Sequence, residues 1–444
     1  MIKKWLQTFD QYHIFKYLIK WFFLIIPVSL TVGSIVALFL WLLDFATQLR
    51  WEHNWLLFLL PIAGVGIVAL YKTKGKNAEA GNNLVMDEIH KPGGGIPFRM
   101  APFVLITTVV THLFGGSAGR EGTAVQIGGS MAHFLGKKMK LSKDDMSILL
   151  TTGIAAGFGA VFGTPVAGAI FAIEVITIGH LKYNALLPSL LAAISANFVC
   201  NLYGTQHTHY QINFHQEASL LDIFNLSLDY KIIIWVIVAS VLFGITSNIF
   251  SELSHATKSF FKKYIKYDYL TPVIGGIIII ALAYALNTFD YLGLGVTSQN
   301  AQGVNIQNAF KPGGAETFSW FWKIVFTVIT LSTGFKGGEV TPLFFIGATL
   351  GNTIATATGM PVDLFAALGF IAVFAGATNT PLACTIMGIE LFGGEHLIYF
   401  AIACFIAYYF SGHSGIYTSQ RIGTSKANLN SSETIKQIRE NKHK

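Results

Sequence analysis

The chain of 444 residues is 52% hydrophobic and only 12% charged, with a mean hydropathy of +0.54, which leaves too little polar surface to clothe a water-soluble domain of this size. That composition excludes a soluble enzyme and a nucleic-acid-binding module, and a net charge of +7 then matters by where it sits relative to a bilayer. Cys200, Cys384 and Cys404 all lie in or beside apolar runs, so neither a disulfide framework nor a CxxC metal site is expected, and no cofactor is called for.

The first twenty residues are amphipathic, and Trp5, Phe9, Ile14, Phe15, Leu18 and Ile19 predict a helix lying in the membrane interface. The apolar run from Trp21 to Leu43 is too long for a signal core and lacks a small-residue cleavage site, so no cleavable leader is expected. Spans at about 21–43 and 55–71 can each cross a hydrocarbon core of about 30 Å. A polar, Gly/Pro-rich stretch follows at 72–100, and apolar segments return at about 101–114, 123–137, 146–162, 165–179, 185–203 and 231–250. Between the last two, a connector at 204–229 carries His207, His209 and His215 without a carboxylate or cysteine beside them. It reads as a solvated loop rather than a metal site.

The second half continues at about 270–287, 319–333, 341–356, 363–377, 381–393 and 396–411. Several segments are too short to cross alone, which predicts half-spanning or re-entrant helices. Lys3, Lys4, Lys16 and Lys20 precede the first span, while Arg421, Lys426, Lys436, Arg439, Lys442 and Lys444 follow the last. Both termini are therefore expected in the cytoplasm. The expected division is an interfacial helix at 1–20, a first membrane half at 21–229, a second at 230–420 and a short polar tail at 421–444, with no cytoplasmic regulatory domain.

One stretch stands apart. GGSAGREGTAVQIGG, residues 115–129, sets Arg120 and Glu121 between apolar segments and rings them with glycine. A charge at mid-bilayer costs about 2.5–3.5 kcal/mol even on lenient scales, so such a pair marks a pathway. Glycine-broken helices let backbone N–H groups point at a negative charge where the backbone lines a protein cavity. The stretch also recurs: Gly116, Gly119, Glu121 and Thr123 return as Gly334, Gly337, Glu339 and Thr341, each 218 positions later. A second block, Thr164 to Glu174, matches Thr380 to Glu390 at an offset of 216. A duplicated half with short helices at matching places predicts a transporter with its substrate site between the halves. Thr164-Pro165 and Thr380-Pro381 read as helix starts, the hydroxyl serving as cap and proline in the first turn.

GSAGREGTAVQIGG, GFGAVFGTPVAGAIFAIE, GFKGGEVTPLFFIGATLG and GATNTPLACTIMGIELFG together resemble the CLC family of chloride channels and proton-coupled anion antiporters, over roughly residues 21–420. The resemblance implies an all-α polytopic fold of two inverted repeats, a homodimer with one pore per subunit, and helix N-termini converging on the anion. Glu121 would be the external gating glutamate. Where most of the family has a GSGIP-type loop, this chain has GNNLV at 81–85, which puts Asn82 in the place of the anion-holding serine. An alternative placement at Gly95-Ile96-Pro97 fits the usual spacing poorly. The second-repeat GxFxP loop becomes Gly338-Glu339-Val340-Thr341-Pro342, the GREGP proline is Thr123, and the internal proton glutamate of chloride/proton antiporters is Val175. The pore tyrosine would be Tyr417. These departures resemble the fluoride/proton antiporters of the family.

Fluoride holds its water tightly, so a site must offer close, strong donors in exchange. The Asn82 amide, the Thr341 and Tyr417 hydroxyls, and N–H groups near Gly119, Gly122 and Val340 could supply them. Desolvation disfavours the charged form of a carboxyl group in general, which makes Glu121 and Glu339 the candidate proton carriers. The expected cycle is competition: ionised Glu121 fills the anion's seat, and fluoride enters when the carboxyl group is protonated or swings away. Fluoride would leave and protons enter across the plasma membrane. The alternatives are a chloride/proton antiporter, a passive anion channel, or an enzyme with a phosphate-cradling loop. The last fails for want of a GxxxxGK[ST] order.

Overall fold

The computed structural model describes residues 9–215, 229–427, 434, 435 and 437. Fourteen of its helices correspond to the fourteen apolar segments, and they fall into two series of seven. The first series is α1 (Asp10–Glu52), α2 (Leu60–Leu70), α4 (Met100–Leu113), α5 (Glu121–Lys138), α6 (Lys143–Phe162), α7 (Pro165–Glu174) and α8 (Leu186–Leu202). The second is α9 (Tyr230–Tyr264), α10 (Leu270–Ala285), α12 (Ser319–Ser332), α13 (Val340–Thr358), α14 (Val362–Thr378), α15 (Pro381–Phe392) and α16 (Leu397–Phe410). Two more were not foreseen: α3 (Asn82–His90), inside the polar stretch, and the single turn α11 (Ile306–Ala309). Residues 10–20 are the first turns of α1 rather than a separate interfacial helix, and Trp5 lies outside the described residues. Among the described residues six helical stretches are long and apolar enough to cross a membrane, and α4, α7, α10, α12, α14, α15 and α16 are shorter.

Helices α6 and α14 are buried almost all round, as expected of helices without a polar face. Each crosses the preceding helix of its own repeat at glycines. A Cβ on Gly128 would run into the carbonyl of Gly153, and one on Gly347 into that of Gly369. The two crossings are the same contact made twice, and only a missing side chain lets the backbones approach so closely.

The repeats are inverted, and four backbone bonds show it. Glu174, at the end of α7, accepts from the amides of Leu382 (3.0 Å) and Ala383 (2.8 Å) at the start of α15. Glu390, near the end of α15, accepts from Val166 (3.0 Å) and Ala167 (2.7 Å) at the start of α7. Each helix therefore ends where its counterpart begins, so the two run antiparallel. The expected caps are corrected here: Pro165 and Pro381 occupy the first turns, but neither Thr164 nor Thr380 makes a side-chain cap bond. A carboxylate from the opposite repeat takes that role and also meets the positive end of the helix dipole.

Residues 421–422 pair in parallel with 177–178 as the strands β2 and β1. Lys426 donates to the Tyr408 carbonyl, Gly412 carbonyl and Asn379 Oδ1, so this part of the tail is packed rather than loose. The connector is also drier than expected. Tyr210 stacks on Phe310 at 5.4 Å, and His207 packs against Gly163. His215 meets Glu395 at 3.2 Å, yet among the described residues no three metal-ligating groups come together.

Candidate functional site

Glycine and threonine hold the central loops. Residues 115–120 cross from α4 to α5, and 333–339 from α12 to α13. The Ser117 amide donates to Thr330 Oγ1 (3.1 Å), and the Lys336 amide donates to Thr111 Oγ1 (3.3 Å). These are one contact and its mirror through the duplication. At the centre the Gly119 amide donates to the Gly338 carbonyl (2.6 Å) and the Gly338 amide to the Gly119 carbonyl (2.7 Å). This antiparallel bridge puts the N-termini of α5 and α13 face to face. Unpaired N–H groups and helix dipoles then converge on one point, which is a place for negative charge.

Glu121 fills that point. Its carboxylate accepts from the Arg120 amide (3.1 Å) and the Thr341 amide (3.1 Å). The Thr341 hydroxyl donates into the same group, 2.7 and 2.6 Å from its two oxygens. Arg120 Nε lies 3.6 Å from Glu121 Oε1. Glu121 is 1% and Thr341 2% exposed, so a side chain from one repeat sits sealed on the first turn of the other repeat's helix. Val340, the first residue of α13, is buried beside it.

The sequence offset of 218 pairs Glu339 with Glu121, but the structure moves that register by one residue: Gly119 bridges Gly338 and the helices α5 and α13 begin at Glu121 and Val340, so Glu339 stands in the place of Arg120 and Val340 in that of Glu121. Glu339 is partly exposed, and its Oε2 would lie 3.9 Å from a Cβ placed on Gly122. Among the described residues no hydrogen bond ties it to the amides of α5. Asn82 is the first residue of α3, and its Nδ2 would lie 3.1 Å from that same Cβ. The Asn82 Oδ1 is buried with no hydrogen-bond partner, which leaves polar capacity free at the site. Asn83 Oδ1 accepts from the Ser419 amide (3.0 Å) and so ties α3 to the segment carrying Tyr417. Tyr417 is 4% exposed, and the charges of Glu339 and Glu121 both bear on its hydroxyl.

The structure thus gathers Asn82, Gly119, Gly122, Glu121, Glu339, Val340, Thr341 and Tyr417 in one region. The alternative at 95–97 is elsewhere: Ser130 Oγ donates to the Pro97 carbonyl (3.1 Å), nine residues and about 13.5 Å along α5 from Glu121. Val175 is buried, and its carbonyl accepts from Gln420 Nε2 (2.8 Å), so an apolar side chain stands where the resemblance would put a proton carrier. Thr123, in the family's proline position, bonds Thr108 Oγ1 at 2.8 Å.

Two residues escaped the sequence reading. His112 has its ring nitrogens 2.8 Å from the Thr108 carbonyl and 2.9 Å from the Ala118 carbonyl, so it braces the loop before Glu121. A lone histidine inside the apolar run 101–114 was the available signal. Arg50, buried in the last turn of α1, is the second. Both line a cavity of about 930 Å³ that also reaches Arg120, Asp44 and His207 but does not extend to Asn82 or Tyr417.

Comparison with known proteins gives the family and the fold. Residues 62–412 match the voltage-gated chloride channel family. A chloride/fluoride channel protein of Pseudomonas syringae pv. tomato is 46% identical over 423 residues, covering 94% of this chain and 90% of its own. The crystal structure of a CLC-type fluoride/proton antiporter superposes with a TM-score of 0.84 at 34% identity, over 91% of this chain and 98% of that one. A slow cyanobacterial chloride/proton antiporter has a TM-score of 0.72 at 18% identity, over 89% and 95%, a likeness of fold alone. The chain belongs to the voltage-gated chloride channel (CLC) family and is a multi-pass membrane protein.

Proposed function

We propose that the protein is a secondary active antiporter that exports fluoride in exchange for protons, with Glu121 as the moving, proton-carrying group. The observation that carries this reading is the seat of the Glu121 carboxylate, which takes two backbone amides and the Thr341 hydroxyl at the facing helix N-termini. An anion needs that same donor set. Ion and carboxylate compete for it, and protonation of Glu121 removes the negative charge that the seat favours. One side chain thereby links the two ions. A sealed seat also favours exchange over a passive pore, since ions cannot pass while it is filled. The fluoride/proton antiporter and the chloride/fluoride channel protein among the relatives support fluoride as the exported ion.

Glu339 is the proposed second proton group. It is partly exposed where Glu121 is sealed, and Val175 offers no other carrier. Asn82, Tyr417, Thr341 and the amides near Gly119, Gly122 and Val340 are the proposed donors to fluoride. Lys72, Lys138, Lys182 and Lys263 lie at or beyond helix ends on the side of the N-terminus of α1, against Lys231 and Lys311 on the other. This asymmetry supports cytoplasmic termini in a plasma membrane. A homodimer is the proposed unit, supported by family membership; Leu187, Leu191, Ile194 and Phe198 form an exposed apolar stripe on α8 that suits a second copy or lipid.

The test is reconstitution. In liposomes, an outward fluoride gradient is expected to drive proton uptake, and an equal chloride gradient to drive much less. Chloride flux without proton movement would overturn the reading.

A further inference from the structure

The cavity over Arg120 has an unusual charge balance. Arg50 is 5% exposed, lines the cavity, and has no hydrogen-bond or ion-pair partner among the described residues. A guanidinium withdrawn from bulk water with no acceptor from the protein still needs acceptors for its donors, and the cavity it lines is where they can be supplied. Arg120 adds a second guanidinium whose Nε is buried and has no hydrogen-bond partner, only the 3.6 Å ion pair to Glu121. Behind the wall, the Lys323 amine is wholly buried and, among the described residues, donates only to the Tyr291 (3.1 Å) and Gly293 (2.9 Å) carbonyls.

The rest of the wall supplies little to offset this. Asp44 is the cavity's acid and forms no ion pair with either guanidinium among the described residues. His112 already has both ring nitrogens engaged with carbonyl oxygens, and His207 has two buried ring nitrogens without partners. The site is built from both repeats: Arg50 sits on α1 beside Gly115 and is faced by the loop through Gly293 and Gly295.

We infer that Arg50 and Arg120 form an anion-binding site in this vestibule, separate from the seat of Glu121, that takes a small inorganic anion of low charge density such as chloride, bromide or nitrate. The chemistry of guanidinium sets the class. It is planar, delocalised and weakly hydrated, so it matches anions that release water easily, whereas fluoride keeps its shell and needs the compact donors around Glu121. A volume of about 930 Å³ leaves room for the ion to stay partly hydrated. The inference does not require fluoride/proton exchange.

Bromide is the probe, because its anomalous scattering locates it in crystals of the full-length protein. A bromide peak in contact with the Arg50 guanidinium is expected, and an empty vestibule at high bromide would overturn the assignment. Arg50→Gln is expected to lower occupancy about tenfold or more; an undiminished peak in that variant would contradict the role given to Arg50. Competition in the unmodified protein needs no variant to fold: excess nitrate should erase the peak, and equal fluoride should leave it. Erasure by fluoride as readily as by nitrate would refute the proposed ligand class. Loss of fluoride-driven proton uptake in liposomes would instead sink the transport reading and leave a bromide peak standing.

Discussion

Two pairs of glutamates sit where the repeats meet, and they are placed differently. Glu174 and Glu390 are symmetric: each accepts two amides at the start of the other repeat's helix. Glu121 and Glu339 are not. Glu121 sits on the first turn of α13, whereas Glu339, standing in the place of Arg120, makes no such bond to α5 among the described residues and lies partly exposed beside Gly122 and Asn82. A symmetric pair with all its bonds made has no reason to move. The broken pair leaves one carboxyl group exchangeable and free donor capacity nearby, and that is where transport is placed.

The largest expected separation between the pairs comes from Glu339→Gln. It should cut proton-coupled fluoride exchange about a hundredfold or more with little loss of stability, as read by liposome flux and thermal unfolding of the same preparation. Glu174→Gln should do the reverse. Its amide cannot accept two N–H bonds as a charge does, so about 1.5–3 kcal/mol of stability is lost while the ratio of protons to fluoride stays unchanged. A changed ratio in Glu174→Gln would erase the distinction between the pairs.

Thr341→Val removes the hydroxyl that bonds Glu121 and leaves the backbone amide in place. Apparent fluoride affinity is expected to fall about tenfold, with coupling retained, in a titration of initial flux against fluoride. Tyr417→Phe should be milder, a few-fold loss of flux, since the charges of Glu121 and Glu339 reach the hydroxyl but no bond to either is made. An effect larger than that of Thr341→Val would move the centre of the site from the facing helix starts toward α3.

Much of this was legible in the residues. Hydropathy placed the fourteen apolar helices, because helix burial follows composition directly, and the offsets of 218 and 216 exposed the duplication, although the Gly119–Gly338 bridge sets the first of them at 219 and so pairs Glu121 with Val340. The inversion was not legible from the letters, since a repeat looks the same whichever way it faces; it took the reciprocal bonds of Glu174 and Glu390. The caps were misread for a related reason. Thr164 and Thr380 hold the right position for local capping, but partners more than two hundred residues away carry charge and win. Helix α3 escaped because its residues are polar enough to resemble a loop, and Arg50 escaped because one arginine ending a long span looks like an ordinary interfacial anchor. His112 gave a signal that was not used.

The central claim is that the Glu121 carboxyl group and the transported anion share one seat. Glu121→Gln keeps the shape and removes both the charge and the titration. In liposomes loaded with fluoride, the account predicts that this variant moves no protons against the fluoride gradient while remaining folded. Proton uptake that persists in fixed ratio to fluoride efflux would contradict it.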